Sequence, residues 1–307
     1  MNAPRRQPRC AIDGVLLLDK PAGLTSNAAL QAVRRLYNAA KAGHTGTLDP
    51  LATGLLPLCF GEATKFSGEL LDADKTYAAT IRLGITTDTA DAEGQVLVER
   101  PVQVSLAQLE EALQRFTGEI MQVPPMHSAL KRNGKALYEY ARQGIELERA
   151  PRRVTIHSIA LHEFSGDWVS VTVACSKGTY IRTLAEDIGA ALGCGAHLQA
   201  LRRTRIGCLR LEQAVALSAL EALAPAQRAA LLWPADALLD GLPRADLDSS
   251  DAVRLGHGQP VRWNGPAGRW RAYAGGSFLG LCELAADGWL SPRRLIATAD
   301  ENTPANT

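Results

Sequence analysis

No Cys-x-x-Cys pair occurs in this 307-residue chain; its six cysteines (Cys10, Cys59, Cys175, Cys194, Cys208, Cys282) are dispersed, with no histidine at metal-ligand spacing. That argues against a zinc site or a disulfide framework and fits small buried hydrophobes in a reducing cytoplasm. An excess of one charge is lacking too. The formal net charge is +1, so only local patches could favour nucleic acid. No apolar run approaches membrane-spanning length, and Val15 to Leu18 is too short for a signal-peptide core behind the basic start Met1 to Arg9. A cytosolic protein with no membrane association is expected. No Gly-x-Gly-x-x-Gly follows a strand, and no Lys-Ser/Thr follows the last glycine of the richest glycine loop, so nucleotide cofactors are not expected. Gly-x-Ser-x-Gly and His-Glu-x-x-His are absent as well, which removes two common hydrolase chemistries.

What is there is ordinary globular material, 46% hydrophobic and 21% charged, long enough for one large domain and a small one. Gly14 to Leu18 reads as a buried strand, and Ser26 or Asn27 caps a helix with Leu30, Val33, Leu36 and Tyr37 at helical spacing. Leu55 to Phe60 is strand-like, and Tyr77 to Leu83 alternates. Gly84 to Gly94 reads as a surface turn. Ser105 and Gln108 make a capping box for a helix presenting Leu106, Leu109, Leu113 and Phe116. Val154 to Ile159 and Val169 to Ala174 are strands, the second with Val169, Val171 and Val173 inward. Ala214 to Leu239 is helical in composition, with breaks at Pro225 and Pro234. Leu242 to Ser250 is a boundary, followed by short strands of a small β domain. Without a regular strand-helix-strand rhythm, the expected class is α+β with a mixed, largely antiparallel sheet flanked by helices.

One loop stands out, Gly43 to Gly54, with three glycines at Gly43, Gly46 and Gly54 and a single charged side chain, Asp49. Pro50 biases Asp49 toward an extended or turn backbone, so the carboxylate is expected to be presented rather than packed. From Lys131 to Arg153 seven basic residues face three acidic ones, a local balance of +4 that suits either a solvated insertion or a flap closing on phosphates. Arg202, Arg203 and Arg205 form a second basic patch. Arg182 falls in the first turn of a helix, where the dipole disfavours a cation unless an anion faces it. A carboxylate among basic patches suits nucleophilic or general-base chemistry on a polyanion.

Five blocks, in order, resemble the bacterial TruB-type tRNA pseudouridine synthases: Leu18-Asp19-Lys20-Pro21 with Gly23, Thr25 and Ser26; Gly43 to Gly54; Lys75-Thr76-Tyr77; Pro124 to Ala129; and Gly178 to Arg182. The resemblance spans roughly residues 14 to 210, and its His44-to-Pro50 segment is highly specific. It implies the pseudouridine synthase fold with a PUA-like β domain, and isomerisation of uridine 55 in the tRNA T-loop, with no cofactor and no metal. The N1–C1′ bond breaks, and the uracil turns and rejoins through C5. By position Asp49 would be the catalytic aspartate, attacking C1′ or the base or taking a sugar proton, and its ionised form is needed. Arg182 would face it and lower its pKa. Since a stacked base must be flipped out, Tyr77 would stack on it and His44 would occupy the vacated space. Tyr180 and Leu201 match supporting pocket positions, and Lys20 a basic residue beside the cleft. Lys131 to Arg153, with Arg149, Arg152 and Arg153, corresponds to a mobile thumb.

The implied organisation is a disordered start over 1–10, a catalytic domain over 11–243 with the thumb at about 124–153, a PUA-like RNA-binding domain over 244–299 and a frayed tail over 300–307. A monomer with tRNA as its partner and no obligatory protein partner is expected. Three rival readings stand beside this one: a non-catalytic tRNA-binding or folding protein, a guide-dependent relative in a ribonucleoprotein, and a glycoside hydrolase. The last would need a second carboxylate.

Overall fold

The computed structural model describes residues 8–297; the expected tail over 300–307 and all but the last residues of the expected disordered start lie outside the described residues. Cys10 makes an isolated bridge to Ala39. The chain then forms β1 (Gly14–Lys20), α1 (Ser26–Leu36), β2 (Ala42–His44) and β3 (Thr53–Phe60). β1 and β3 pair antiparallel and are covered on both faces. Leu16, Leu18, Leu56 and Leu58 pack with Leu30 and Val33 of α1, while Val15, Leu17 and Leu55 pack with Phe66 and Leu239. Two-sided burial is why these strands read as unbroken apolar runs. The cap of α1 is Thr25, one residue ahead of expectation, its hydroxyl accepting from the Ala28 amide at 3.0 Å. Ser26 is thereby free to hold the neighbouring loop.

Next come α2 (Ser67–Leu71), β4 (Lys75–Leu83), β5 (Ile85–Thr87), β6 (Val96–Glu99), α3 (Leu106–Arg115) and β7 (Gly118–Gln122). The expected capping box opens α3, with Ser105 and Gln108 exchanging side-chain to backbone bonds. A small hairpin, β8 (Lys131–Arg132) and β9 (Lys135–Ala136), and the short α4 (Leu137–Ala141) form an insertion ahead of β10 (Arg152–Ser165). Then follow β11 (Trp168–Cys175), α5 (Ile181–Ala191), β12 (Ala196–Ile206), β13 (Leu209–Arg210) and β14 (Val215–Ala216).

Ten of these strands make one sheet in the order β14-β1-β3-β12-β4-β11-β10-β7, with β2 on β3 and β13 on β12. Only β1–β14 and β3–β12 are parallel. The α+β class with a largely antiparallel sheet is therefore what the chain builds. Val169, Val171 and Val173 point inward as expected, onto Leu109 and Leu113 of α3 and Leu184 and Ile188 of α5. Residues 214–239 are helical in short pieces, with the breaks where they were expected. Pro225 and Pro234 break them into α6 (Leu217–Ala222), α7 (Pro225–Ala229) and a 3-10 turn at Ala235–Leu239.

The C-terminal unit comprises β15 (Arg244–Leu247), α8 (Ser249–Gly256), β16 (Val261–Arg262), β17 (Gly268–Ala274), β18 (Ser277–Leu284) and β19 (Trp289–Leu295). Its five strands order as β15-β17-β18-β19-β16 around Ala245, Leu255, Trp270 and Cys282. The polar stretch read as a boundary supplies β15 and the Asp248 cap of α8. This unit is bound to the larger one by apolar and ionic contacts together. Phe278 meets Phe66 edge-on at 5.4 Å between ring centroids, Arg269 pairs with Glu69, and Arg271 reaches Asp240 at 3.2 Å and Asp236 at 3.6 Å. Among the described residues no helix is long and apolar enough to cross a membrane.

Candidate active site

The Gly43–Gly54 loop is pinned along its backbone. The Ser26 hydroxyl accepts from the Leu48 amide at 2.7 Å and donates to the Leu48 carbonyl at 3.0 Å. The Gly23 amide donates to the Pro50 carbonyl at 2.9 Å, and Arg203 donates to the carbonyls of Gly46 (3.2 Å) and Leu55 (2.8 Å). Thr45, Leu48 and Ala52 are buried. Thr47 is exposed, and the Asp49 side chain is 39% exposed. The expected presentation of this carboxylate is what the fold delivers.

Gly54 is required by the chain itself. Gly54 has φ +99°, and a Cβ there would lie 2.3 Å from the Arg203 carbonyl oxygen, where β12 runs parallel to β3. A methyl group would thus meet backbone that cannot swing aside. Gly54→Ala is expected to cost about 2–4 kcal/mol in unfolding free energy. A urea midpoint unchanged from the parent would refute this account of the glycine.

Arg182, second residue of α5, is only 5% exposed at its side chain and meets Asp49 with Nε at 3.0 Å from Oδ2. Its remaining donors are used as well: Nη1 to the Thr89 carbonyl at 3.2 Å, Nη2 to the His127 carbonyl at 2.6 Å, and Nη1 near Asp91 Oδ2 at 3.6 Å. An anion does face this ill-placed cation, as the helix-dipole argument requires. Asp91 is buried and held by the Thr89 hydroxyl (2.6 Å) and the Glu93 amide (3.1 Å). Gly84 to Gly94 is therefore no mere surface turn. It folds inward to bring a second carboxylate to Arg182.

Arg182 does lower the Asp49 pKa, as expected, but it is outweighed. Asp49 opens to a cleft yet lies deep among protein atoms, and burial raises its carboxyl above the ordinary value of 3.8. Arg182 and Lys20 pull it down, Asp91 pushes it up, and burial prevails.

Lys20, expected as a substrate contact beside the cleft, is fully buried, with its ammonium on the carbonyls of Leu24 (2.6 Å), Pro21 (2.9 Å) and Pro50 (3.4 Å). Those bonds leave it no path to a ligand. Burial lowers its pKa to about 8, and its charge acts on Asp49 through space. Arg203, from the second basic patch, is buried too, only 1% exposed. Arg202 joins it in structural duty, bonding Asp19 at 2.7 and 3.1 Å.

Tyr77 on β4 sits opposite Arg203 of β12 and Val173 of β11, and with Leu201 it bridges two core clusters. Burial raises its phenol pKa while the Arg203 charge opposes that rise. Tyr180 precedes α5, its backbone clamped by Gln122, whose side chain donates to the Tyr180 carbonyl (3.2 Å) and accepts its amide (3.0 Å). Gln122 thus fixes the entry of α5 and the bearing of Arg182. His44 lies at the cleft edge, its Nδ1 buried without a hydrogen-bond partner. Burial and the Arg203 charge lower its pKa, favouring the neutral ring.

The cleft over Asp49 has a volume of about 550 Å³ and is lined by His44, Asp49, Asp91, His127, Arg182 and, from the insertion, Tyr138 and Arg142. Such a size and mixed lining are typical of a ligand site. A recess of about 570 Å³ elsewhere, lined by Arg82, Glu99, Arg100 and Asp167, is an open trough in which Arg82 is already paired with Asp167. It brings no reactive group together. Arg149 does not reach the main cleft. It lines a neighbouring recess with Glu146 and Glu186, and bonds Glu146 at 3.1 Å. Arg153 pairs with Glu119 at 3.4 Å, and Arg152 is exposed near Tyr180, whose phenol feels its charge. Asp91, Gln122, Tyr138 and Arg142 were not singled out from sequence. The Thr87-x-Thr89-x-Asp91 run ahead of Gly94 carried one usable signal, residue types that fold locally on their own side chains. Among the described residues no group of three or more His, Cys, Asp or Glu side chains is arranged to hold a metal ion.

The chain is similar to known proteins over nearly its whole length. Residues 34–181 match the family described as TruB family pseudouridylate synthase (N terminal domain). Residues 182–240 match the tRNA pseudouridylate synthase B C-terminal domain, and residues 243–296 match Pseudouridine synthase II TruB, C-terminal. The tRNA pseudouridine synthase B of Dechloromonas aromatica (strain RCB) is 60% identical over 290 residues, covering 94% of this chain and 97% of that protein. That of Azoarcus sp. (strain BH72) is 61% identical, covering 96% and 98%. Among solved structures, a Cbf5-Nop10-Gar1 complex contains a chain with TM-score 0.69 and 27% identity, over 88% of this chain and 78% of that one. An H/ACA RNP bound to a substrate RNA containing 2'-deoxyuridine contains another with TM-score 0.71 and 24% identity, covering 94% and 86%, a likeness of fold.

Proposed function

This chain belongs to the TruB family of pseudouridylate synthases and isomerises uridine in tRNA to pseudouridine; we propose that the uridine is position 55 of the T-loop and that Asp49 carries the reaction. The observation that supports this most is the cleft-facing Asp49 carboxylate, ion-paired at 3.0 Å to a guanidinium with no other freedom. The reaction balances without an added group. The N1–C1′ bond breaks, a C5–C1′ bond forms, C5 gives up its proton and N1 gains one.

The ionised Asp49 carboxylate acts at C1′, at the base or on a sugar proton, with Arg182 fixing its direction. The cleft must exclude water when the tRNA loop closes it, and the pinned loop means that Asp49 needs no rearrangement to act. A base stacked in the T-loop is flipped out before reaction. Tyr77, Tyr180 and Leu201, partly buried and outside the lining of the open cleft, receive it, the two phenols within reach of the Asp49 charge, and His44 stands at the edge as a neutral ring. The unit from Arg244 onward is a PUA-like RNA-binding domain. The protein works in the cytoplasm as a monomer, without an obligatory protein partner.

The test is incubation of the purified protein alone with an unmodified tRNA transcript labelled with tritium at C5 of uridine. Release of one tritium per tRNA is expected, and none from a transcript carrying cytidine at position 55. Equal release from both transcripts would overturn the position, and no release from either would overturn the stand-alone activity.

A further inference from the structure

The seven basic residues between Lys131 and Arg153 do not share one role, and their partners sort them. Arg149 is paired with Glu146 at 3.1 Å, Arg153 with Glu119 at 3.4 Å, and Arg132 donates to the Glu148 carbonyl at 2.7 Å. Lys135 lies over the Tyr140 ring at 4.7 Å. These contacts hold the insertion to itself and to the edge strand β7. Arg142 differs. It is exposed, has no carboxylate partner among the described residues, and stacks on Tyr138 at 5.3 Å. Both side chains line the cleft above Asp49.

The charges facing that cleft make the difference consequential. Asp49, Asp91 and Glu93 are acidic, and Arg182 is used up by Asp49, Asp91 and two carbonyls. Among the described residues Arg142 is the one uncommitted guanidinium on the lining. An RNA backbone entering beside three carboxylates needs a local cation, and a planar guanidinium suits phosphate oxygens. The backbone under the pair is firm: the Tyr138 amide donates to the Ser128 carbonyl at 3.1 Å, the Leu137 amide to the Leu130 carbonyl at 2.8 Å, and Leu137 is buried. An exposed tyrosine on such a support offers a face on which a base stacks.

We propose that Arg142 and Tyr138 are the insertion's contact to the substrate, Arg142 on a backbone phosphate next to the flipped uridine and Tyr138 on a neighbouring base, whereas Arg149 and Arg153 hold the insertion in shape. This rests on the tRNA reading above. It moves the RNA contact away from two of the three arginines that the sequence nominated.

The experiment measures tRNA binding across a salt series in an Asp49→Asn background, where turnover does not intervene. Removal of one phosphate contact lowers the slope of log K against log salt by about 0.7–0.9. Arg142→Ala is expected to lose that slope and roughly tenfold in affinity, and Arg142→Lys to keep the slope. Arg149→Ala and Arg153→Ala keep it as well. Tyr138→Phe binds as the parent does, while Tyr138→Ala weakens binding by roughly five- to a hundredfold at every salt concentration. An Arg142→Ala slope equal to the parent's, or a loss confined to Arg149→Ala and Arg153→Ala, overturns the assignment and leaves the tRNA reading intact. Failure of the parent itself to bind tRNA would overturn both.

Discussion

Asp49→Asn is expected to abolish tritium release from C5-labelled tRNA, by at least roughly 10³-fold, while tRNA affinity stays within about threefold of the parent. The amide keeps the size and shape of the carboxylate and can still accept from Arg182 Nε, now 3.0 Å from Asp49 Oδ2. Only the charge and the lone pair needed for attack or proton removal are lost. The pH profile supplies an independent check. Burial raises the Asp49 carboxyl above its ordinary value of 3.8, so the acid limb of the parent's activity lies above that value. A carboxyl raised in the folded state binds its proton more tightly there than in the unfolded chain. The ionised form therefore costs stability, increasingly so as pH rises from the unfolded value through the folded one, and Asn removes that dependence. Turnover by the variant at the parent's rate would end the catalytic assignment.

The second large effect is on stability. Arg182→Ala is expected to destabilise the protein by about 3–5 kcal/mol at neutral pH and to eliminate activity. The arginine is a shared counter-ion: its removal strands Asp91, 5% exposed at its side chain, beside Asp49, and leaves the Thr89 and His127 carbonyls without donors. Acidification should shrink the deficit, since protonating the stranded carboxylates relieves their burial as charges. Arg182→Lys should recover only part of it, because one ammonium cannot span Asp49, Asp91 and two carbonyls as the planar fork does. Chemical denaturation of the three proteins at neutral and acidic pH decides the point. A deficit for Arg182→Ala that is small and the same at every pH would show that these charges are not coupled.

Both predictions draw on residues that differ in how legible they were. Asp49 and Arg182 stood out in the sequence because each sits in a short block whose local chemistry is unusual, a lone carboxylate among glycines and a cation in a helix's first turn, whereas His44 was nominated only by the family resemblance. The layers were legible too, since strand period and caps are local signals, and the Ser105–Gln108 box formed as written. What stayed hidden depends on distant chain segments. Nothing local in Arg202-Arg203 says that one side chain will bond Asp19 and the other will be buried under Gly46 and Leu55, from strands made far earlier in the chain. The burial of Lys20, expected as a basic residue beside the cleft, was hidden for the same reason, its three carbonyl acceptors being supplied by a turn and by the Asp49 loop. The Asp49 pKa went the other way because the sequence names its counter-ion but not the depth of the protein around it.

The placement of β12 between β3 and β4 has a consequence for the order in which the molecule can be made. β3 and β4 are successive strands of the larger sheet, yet they cannot become neighbours, since the gap between them is filled by a strand from residues 196–206. Gly54 leaves the polypeptide synthesis machinery well before Arg203, by roughly ten to thirty seconds at usual elongation rates. Throughout that interval the Asp49 loop lacks the guanidinium that holds its turn, and two strand edges stand open. Closure of the central ladder must then join segments of large sequence separation, the kind of pairing that folds slowly. The Asp49 carboxylate is therefore among the earliest parts of the chain to be synthesised and among the last to be fixed in place.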